Sequence, residues 1–321
     1  MTPDTDLDER TRTALRAAHL YYVQELTMEA IARELRSSRS SVSRLLAYAR
    51  ETGLVQIQIH SPHEGRERVE REIQRRYHVH PHVIPVPDAT SDVDRLDRVA
   101  LAAGRLLGRY VDSNMRIGIG WGSTMSALSR HLVPKSMHAT AIVQLNGAAN
   151  NLTSGIDYTS EILRRFGAAF GAQVHQFPVP AFFDDPSTRD AMWRERSVGR
   201  MLEMQASLDL VLFSVGSPTA EVPSHVYLGG YLDAADYASL AEDGVAGDVA
   251  TVFYRADGSS AGIRLNERAS GPNVATLRRA PRRLCVVAGV SKIPALRGAL
   301  AAGLVTDLVI DETAARRLIE A

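Results

Sequence analysis

A glycine-containing loop between an apolar run and a helix-like stretch is the clearest candidate binding element of this chain. In residues 115–128 the apolar run leads into Gly120 and Gly122, and Ser123 and Thr124 open the helix-like stretch. Glycine lets the backbone approach a ligand closely, and hydroxyl and amide groups at a helix start attract anions. We therefore predict that this loop binds an anionic group.

Two familiar nucleotide-binding motifs do not fit this loop. A dinucleotide-binding fold expects a third glycine and an acidic residue at the end of the next strand. The third glycine position falls near Thr124, and the next strand-like run ends in Asn146 and Gly147. A P-loop is excluded because no Gly-Lys-Ser/Thr follows. We therefore expect no nucleotide cofactor, and we assign no catalytic or metal-binding residue.

Polar or small residues also follow three other strand-like runs. Asn146 ends the run over 139–145, where we expect its side chain to be exposed. Gly216 and Ser217 end the run over 208–215, and Lys292 follows the run over 283–289. Ligands of open α/β sheets bind beyond the carboxyl ends of the strands, so these residues should meet the glycine loop. The predicted effector-binding residues are Gly120, Gly122, Ser123, Thr124, Asn146, Gly216, Ser217, Asp248 and Lys292.

Lys292 and Asp248 each have a functional and a structural interpretation. Lysine is scarce, since Lys135 and Lys292 are the two lysines among 37 basic residues. A lysine at a helix start opposes the helix dipole, which is tolerable when the ammonium reaches an anion. The alternative for Lys292 is an ordinary exposed lysine. Asp248 either accepts hydrogen bonds from sugar hydroxyls or caps a helix or turn.

Residues 26–46 have the spacing of a helix-turn-helix, with a short helix, a brief turn and a longer helix, and Thr27 and Ser38 are the expected N-caps of the two helices. From Arg36 to Arg50 there are four arginines and no acidic residue. Small hydroxyl side chains let a helix enter the major groove, and arginine binds guanine edges or phosphates. The alternative is a solvated helical bundle. Arg36 stands where the turn commonly has glycine. The predicted DNA-binding residues are Thr27, Ser38, Arg39, Ser40, Ser41, Ser43 and Arg44.

The hydrophobic pattern divides the chain into three parts. Residues 1–60 hold the helix-turn-helix, with a wing-like strand over 54–59. In the first helix, over 14–25, we expect an apolar inward face shared by Leu15, Ala18, Leu20, Tyr22 and Val23. Residues 61–82 form a charged linker or interface helix with a Val69, Ile73 and Tyr77 stripe. Residues 83–321 form the effector domain.

The effector domain should be a doubly wound, mostly parallel α/β fold, because strand-like and helix-like segments alternate along it. The helix-like segments cover 92–110, 123–132, 159–170, 190–203, 233–242, 293–302 and 312–319. The strand-like runs cover 82–86, 115–120, 139–145, 172–177, 208–215, 249–254, 283–289 and 306–310.

Composition excludes several classes of protein. Hydrophobic residues make up 45% of the chain, yet no apolar run approaches the roughly 20 residues of a membrane span. The single cysteine, Cys285, excludes a disulfide framework and is interpreted as a core residue. The net charge of zero means that any DNA contact must come from a local patch. We expect a cytoplasmic protein that does not bind a membrane.

The chain resembles the SorC family of sugar-binding transcriptional regulators nearly end to end. The resemblance implies an effector domain similar to the phosphosugar isomerase fold, a phosphorylated sugar or sugar-alcohol effector, and a homotetramer. It places the phosphate at Gly122, Ser123 and Thr124 near Lys292, with Asp248 on hydroxyls. Ala148-Ala149 and the segment 219–227 depart from the family pattern. The matching segments are 26–46, 118–124, 143–147, 180–184, 194–197, 230–232, 247–248, 253–258, 265–268 and 287–292.

We therefore expect a DNA-binding regulator of a carbohydrate uptake or catabolism operon, with double-stranded operator DNA and the phosphorylated effector as partners. An alternative is a sugar-phosphate isomerase or deaminase-like enzyme fused to a DNA-binding domain. That chemistry needs a general acid and base, and no histidine adjoins the glycine loop. His175 and His225 are the nearest candidates, and each is more often structural. A third alternative is an interaction module without a ligand.

Overall fold

The computed structural model describes residues 9–55, 62–217 and 224–320, with the backbone alone for 62–64. The chain divides into two compact units, Met1–Pro62 and His63–Ala321, called here the small unit and the large unit.

The small unit is helical and packs around alanines. Helix α1 is Glu9–Ala18, and it continues as a π-helical turn over His19–Val23. Helices α2, Met28–Glu34, and α3, Arg39–Glu51, complete the helix-turn-helix. The core consists of Ala14, Ala17, Ala18, Leu20, Ile31, Ala32, Val42, Leu46 and Ala49.

The prediction that Leu15 and Val23 face inward is wrong, since they are 45% and 67% exposed. Three alanines of α1 form its buried face, because small side chains let α1 approach α3 closely. The π-helical turn adds residues per turn, which rotates Val23 off that face.

Both helix starts of the motif are capped as their sequence predicts. The Thr27 hydroxyl accepts a hydrogen bond from the Ala30 amide at 3.2 Å, and the Ser38 hydroxyl accepts one from the Ser41 amide at 3.1 Å. Arg36 adopts the left-handed conformation that glycine usually supplies in this turn, with φ of 48°. The predicted strand over 54–59 lies outside the described residues from position 56 onward.

The large unit contains a seven-stranded sheet in which every pairing is parallel, in the order β1-β9-β8-β5-β2-β3-β4. Two further strands, β6 and β7, form an antiparallel hairpin. The strands are β1 His80–Ile84, β2 Arg116–Ile119, β3 Ala141–Gln144, β4 Gln173–His175, β5 Leu210–Phe213, β6 Val245–Val249, β7 Val252–Arg255, β8 Arg282–Val287 and β9 Asp307–Asp311.

Helices cover both faces of the sheet. Alternate residues of one strand enter different apolar clusters; Leu284 and Val286 face the cluster built on α5 to α7, while Cys285 and Val287 face the cluster built on α13 and α14. Cys285 is fully buried there, as predicted. The helices are α4 Pro62–Tyr77, α5 Asp92–Leu107, α6 Ser123–Ser129, α7 Ile156–Phe170, α8 Pro186–Trp193, α9 Arg196–Gln205, α10 His225–Leu228, α11 Ala234–Glu242, α12 Val274–Arg279, α13 Ile293–Ala301 and α14 Glu312–Ile319.

The single strand predicted over 249–254 is wrong. Ala250 and Thr251 both have positive φ, 48° and 67°, and they form a two-residue turn between β6 and β7. This geometry ordinarily selects asparagine and glycine, so the Ala-Thr sequence gives no signal for it. The helix predicted over 190–203 is likewise two helices, α8 and α9, separated at Arg194 and Glu195.

The stripe of α4 packs inside the large unit. Val69 and Ile73 are buried in the same cluster as residues of the sheet, and Tyr77 packs against that cluster. The stripe expected on a linker helix is therefore covered within the large unit itself. Among the described residues, no helix combines the length and the hydropathy that crossing a bilayer requires.

Candidate effector and DNA-binding sites

A cleft opens at the carboxyl ends of β2, β3, β5 and β8, where the tip of the β6–β7 hairpin also lies. It encloses about 470 Å³ and is partly open to solvent. Its wall includes eight of the nine predicted effector-binding residues: Gly120, Gly122, Ser123, Thr124, Asn146, Gly216, Asp248 and Lys292.

The glycine loop presents backbone amides to this cleft. Gly122 has φ of 147°, a conformation that favours glycine, and no atom lies within 4 Å of the position of a Cβ there. The first hydrogen bond of α6 joins the Ser126 amide to the Gly122 carbonyl at 2.8 Å. The amides of Ser123 and Thr124 therefore have no acceptor within the helix and are available to an anion.

Lys292 is buried at the bottom of the cleft, with 4% of its surface exposed. Its Nζ donates to the Ser214 hydroxyl at 3.4 Å, and the Thr124 hydroxyl also donates to Ser214 at 3.2 Å. Within the described parts of the chain, no carboxylate forms an ion pair with this ammonium. Burial lowers the Lys292 pKa from 10.5 to about 8, while the nearby Cys285 and Asp248 oppose that change.

Asp248 is buried on the opposite wall, at the end of β6. Its backbone pairs with Gly216, and one carboxylate oxygen accepts a hydrogen bond from the Thr251 amide at 3.3 Å. Burial raises the Asp248 pKa from 3.8 to about 6, although the Lys292 charge acts in the other direction. The cleft thus holds a buried acid and a buried base without a direct ion pair between them.

Among the described residues, Asn146 Oδ1 is a buried oxygen of the cleft wall without a hydrogen-bond partner, and its residue is 1% exposed. Leaving such an atom unpaired costs about 1–3 kcal/mol. The Asp248 carboxylate instead lies beside the buried Tyr227 hydroxyl, whose hydrogen bond favours the charged carboxylate. Hydroxyl groups of a ligand would satisfy Asn146 Oδ1 and add donors for Asp248. Asn146 was expected to be exposed beyond its strand; the structure instead buries it in the wall of the cleft.

Two aromatic rings, Trp121 and His225, line the cleft, and Tyr158 and Tyr231 pack against them. The His225 ring stacks on Tyr158 with centroids 4.6 Å apart and lies edge-on to Trp121 at 5.9 Å. Tyr231 packs against Trp121 at 5.2 Å. The Trp121 indole N–H donates to the Asn146 and Gly147 carbonyls at 3.2 and 2.9 Å, which fixes this ring in the wall. Burial lowers the His225 pKa, so its ring is neutral at physiological pH.

Sequence reasoning missed part of this wall and included one residue outside it. Ser217 is absent from the cleft lining; its amide donates to the Ser224 hydroxyl at 3.3 Å, and its hydroxyl lies 3.5 Å from the Ser291 carbonyl. Ser214 and Thr251 line the cleft but were not predicted. The polar residue directly after β5 was a possible signal for Ser214, whereas Thr251 depends on the unpredicted turn. The sequence segment over 219–227 lies outside the described residues up to position 223.

The helix-turn-helix exposes the side chains predicted to bind DNA. Arg39, Ser40, Ser43 and Arg44 are exposed on α3, while Ser41 is partly buried. Arg39 forms an ion pair with Glu29 at 3.1 Å between two exposed side chains, which is weak enough to exchange for a phosphate. Thr27 and Ser38 are exposed, and their hydroxyls serve as helix caps.

Two family models match this chain, one over most of the large unit and one over most of the small unit. Residues 61–320 match Sugar-bind, the model of a sugar-binding domain, and residues 11–67 match the MarR family model MarR_2. The deoxyribonucleoside regulator of Bacillus subtilis (strain 168) is 29% identical and covers 97% of this chain and 98% of its own length. The sorbitol operon regulator of Klebsiella pneumoniae is 25% identical and covers 96% of this chain and 98% of its own.

A solved structure matches the large unit. It is a domain described as that of a possible sugar-binding transcriptional regulator from Arthrobacter aurescens TC1, with a TM-score of 0.76 and 55% identity. The match covers 81% of this chain and 100% of that domain. These relatives are named as regulators and not as enzymes.

Proposed function

Because this chain belongs to the SorC family of sugar-binding transcriptional regulators, we propose that it controls a carbohydrate uptake or catabolism operon in response to a phosphorylated sugar or sugar alcohol. The large unit binds the effector, and the helix-turn-helix binds operator DNA. The observation that carries the proposal is the buried Lys292 ammonium, which faces a glycine loop with free amides and has no carboxylate partner in the described chain.

The phosphate lies against the Gly122 loop and Lys292. A phosphate dianion needs several donors, and this end of the cleft offers the Ser123 and Thr124 amides and the Lys292 ammonium. Ser214 accepts hydrogen bonds from both Thr124 and Lys292, which holds these two donors beside each other. A neutral ligand would leave the buried ammonium without a counter-charge.

The carbohydrate lies between the phosphate and the hairpin. Hydroxyl groups donate to the Asp248 carboxylate and to Asn146 Oδ1, a buried oxygen that lacks a partner among the described residues. The rings of Trp121 and His225 form an apolar wall for the carbon skeleton at the mouth of the cleft. The cleft thus has one end for a phosphate and another for hydroxyl groups. A sugar phosphate contacts both ends, whereas inorganic phosphate contacts only the first.

Helix α3 enters the major groove of the operator. Its exposed face carries Arg39 and Arg44 with Ser40 and Ser43 between them, so that arginines contact phosphates or guanine edges while the small hydroxyls permit close approach. Matched half-sites on DNA require more than one copy of the helix. We infer that the protein is a cytoplasmic homotetramer. In each subunit, residues 1–60 form the DNA-binding part, 61–82 the linker or interface helix and 83–321 the effector domain.

The effector acts by shifting the populations of two arrangements of the subunits. It stabilises the arrangement to which it binds more tightly, and only one of the two arrangements spaces a pair of helix-turn-helix motifs to match the DNA half-sites. The shift is limited by the difference in effector affinity between the two arrangements.

The test measures operator binding by fluorescence anisotropy, with DNA from upstream of the neighbouring carbohydrate genes and a panel of phosphosugars and their unphosphorylated forms. We expect one or more of the phosphorylated compounds to change the operator Kd, and the unphosphorylated forms to leave it unchanged. The Lys292→Met variant should bind operator normally and lose this response. Lys135→Met is the matched control, since Lys135 bonds the Gly108 and Val111 carbonyls away from the cleft.

A response that survives in Lys292→Met would show that the phosphate lies elsewhere. Turnover of a phosphosugar by the pure protein would favour the isomerase or deaminase alternative. Failure of every phosphosugar to change operator binding or the melting temperature would favour an interaction module instead.

A further inference from the structure

A second cavity lies on the other side of the β6–β7 turn. It encloses about 890 Å³, partly open to solvent, between α8, α9, the start of β7 and α12. Its wall shares no residue with the effector cleft. Representative lining residues are Arg189, Trp193, Gln205, Val252, Ser270 and Thr276.

Gln205 carries the unusual polar group of this cavity. The residue is 2% exposed, and its Nε2 donates to the Gln144 and Leu145 carbonyls at 3.0 and 2.8 Å. These two hydrogen bonds fix the orientation of the amide, because the nitrogen must face the carbonyls. Oε1 therefore points the other way, and it has no hydrogen-bond partner. Such a buried acceptor favours any group in the cavity that donates a hydrogen bond, as a ligand hydroxyl would.

The remaining wall selects a neutral ligand with an apolar face. Trp193, Leu202 and Val252 supply apolar surface, and among the described residues no acidic side chain lines the cavity. Arg189 is the charged lining residue, and its guanidinium is engaged by the Asp190 carboxylate at 2.9 Å and the Asn266 carbonyl at 3.1 Å. An aromatic surface beside a buried hydrogen-bond acceptor matches the C–H faces and hydroxyls of a carbohydrate.

We propose that this second cavity binds a small neutral polyhydroxyl compound, such as an unphosphorylated sugar or polyol, with a hydroxyl donating to Gln205 Oε1. The absence of a free cation in the wall excludes a phosphate here. The site thus differs from the effector cleft in the charge of its ligand.

The second cavity is joined to the effector cleft through shared supports. Gln205 holds the carbonyls of the two residues that precede Asn146. The Ser270 hydroxyl, in the second wall, accepts a hydrogen bond from the Gly147 amide at 2.9 Å. The Ala250 carbonyl lies 1.8 Å from the position of a Cβ on Gly271, so the hairpin turn packs directly on this wall.

A ligand bound to Gln205 should therefore shift or fix the positions of Asn146 and of the hairpin turn, which both line the effector cleft. We expect its binding to alter affinity at the cleft, and by linkage the reverse. This coupling rests on the proposed function of the cleft, whereas binding at the second cavity does not.

The experiment is an isothermal titration with sorbitol as the probe. We expect wild type and Lys292→Met to bind it equally, and Thr276→Trp, which fills the second cavity, to bind at least tenfold more weakly. Ala275→Trp is the matched control, because Ala275 is the exposed neighbour on α12 and does not line the cavity. Ala206→Trp fills the cavity from α9 and replaces Thr276→Trp if that variant fails to fold.

Absence of sorbitol binding in wild type, or equal binding in both cavity-filling variants, overturns the site. Loss of binding in Lys292→Met alone assigns sorbitol to the effector cleft and overturns it as well. A change of oligomeric state in the filled variants, with sorbitol binding intact, identifies the cavity as a subunit interface. Repeating the titration in saturating inorganic phosphate tests the coupling: a shifted sorbitol Kd in wild type but not in Lys292→Met supports it, and an unchanged Kd overturns it.

Discussion

Gly216 and Asp248 are joined by two backbone hydrogen bonds, and the Asp248 carboxylate also packs against the Gly216 Cα. The Gly216 amide donates to the Asp248 carbonyl at 2.8 Å, and the Asp248 amide donates back to the Gly216 carbonyl at 3.2 Å. The Asp248 carboxylate folds over this bridge, with Oδ1 only 1.9 Å from where a Cβ on Gly216 would stand. The end of β5 therefore positions the acidic group of the hairpin, and glycine is required for that contact.

Gly216→Ala should displace the Asp248 carboxylate or open the bridge. We expect a loss of about 1–3 kcal/mol in the free energy of unfolding, as for other overpacked sites, together with a weakened effector response. Urea denaturation and the operator assay measure the two effects. Gly199→Ala is the control, because α9 leaves open space around Gly199, and it should instead stabilise the protein by about 0.5–1 kcal/mol. Equal effects of both variants would contradict the contact.

Asp248→Asn should stabilise the ligand-free protein above pH 6. The folded-state pKa of Asp248 is about 6 against an ordinary 3.8, so its contribution to stability is fully present below pH 3.8 and is lost as pH rises through 6. The variant should therefore match wild type near pH 4 and exceed it by up to about 3 kcal/mol near pH 7. Chemical denaturation at several pH values measures this difference, and a difference that does not change with pH would contradict the assignment.

Effector affinity should fall above pH 8. The Lys292 pKa is lowered to about 8, and a phosphate dianion is bound by the protonated form. Above that pH the Kd should rise about tenfold per pH unit, as expected for the loss of one proton. Titrating the phosphosugar that alters operator binding between pH 7 and 9 measures this slope. Lys292→Met should bind weakly with little pH dependence; a steep slope in that variant would assign the titration to another group.

Replacing Arg39 and Arg44 together with alanine should weaken operator binding and reduce its dependence on salt. Each lost phosphate contact lowers the slope of log Kobs against log salt by about one. Anisotropy titrations at several salt concentrations give the slope. Arg16→Ala is the control, because Arg16 is exposed on α1 and pairs with Glu34. If the double variant binds as tightly as wild type, α3 is not the DNA-binding helix.

The cleft could be predicted from the sequence because parallel strands bring their carboxyl ends to one edge. Gly122, Asn146 and Lys292 are far apart in the chain, yet each lies just beyond the end of an apolar run, which was enough to place them together. Local patterns were likewise sufficient for the caps at Thr27 and Ser38, since each cap involves a bond to an amide three residues later.

The turn at Ala250 and Thr251 could not be predicted, because their positive φ angles are imposed by tertiary contacts. Gly271 makes room for the Ala250 carbonyl, and Asp248 accepts a hydrogen bond from the Thr251 amide. Gln205 was missed for a similar reason. It looks like a polar residue at the end of a helix, and its role depends on carbonyls about 60 positions earlier in the chain.

The buried charges of Lys292 and Asp248 connect effector supply to the lifetime of the regulator. Both groups destabilise the folded protein near neutral pH. A bound effector offsets this cost by pairing its phosphate with Lys292 and donating hydroxyl hydrogen bonds to Asp248. An effector at 100 times its Kd adds about 2.7 kcal/mol of stability, which lowers the unfolded fraction that proteases degrade by about a hundredfold. Cells fed the inducing carbohydrate should accordingly hold more copies of the protein, without any change in the synthesis of its messenger RNA.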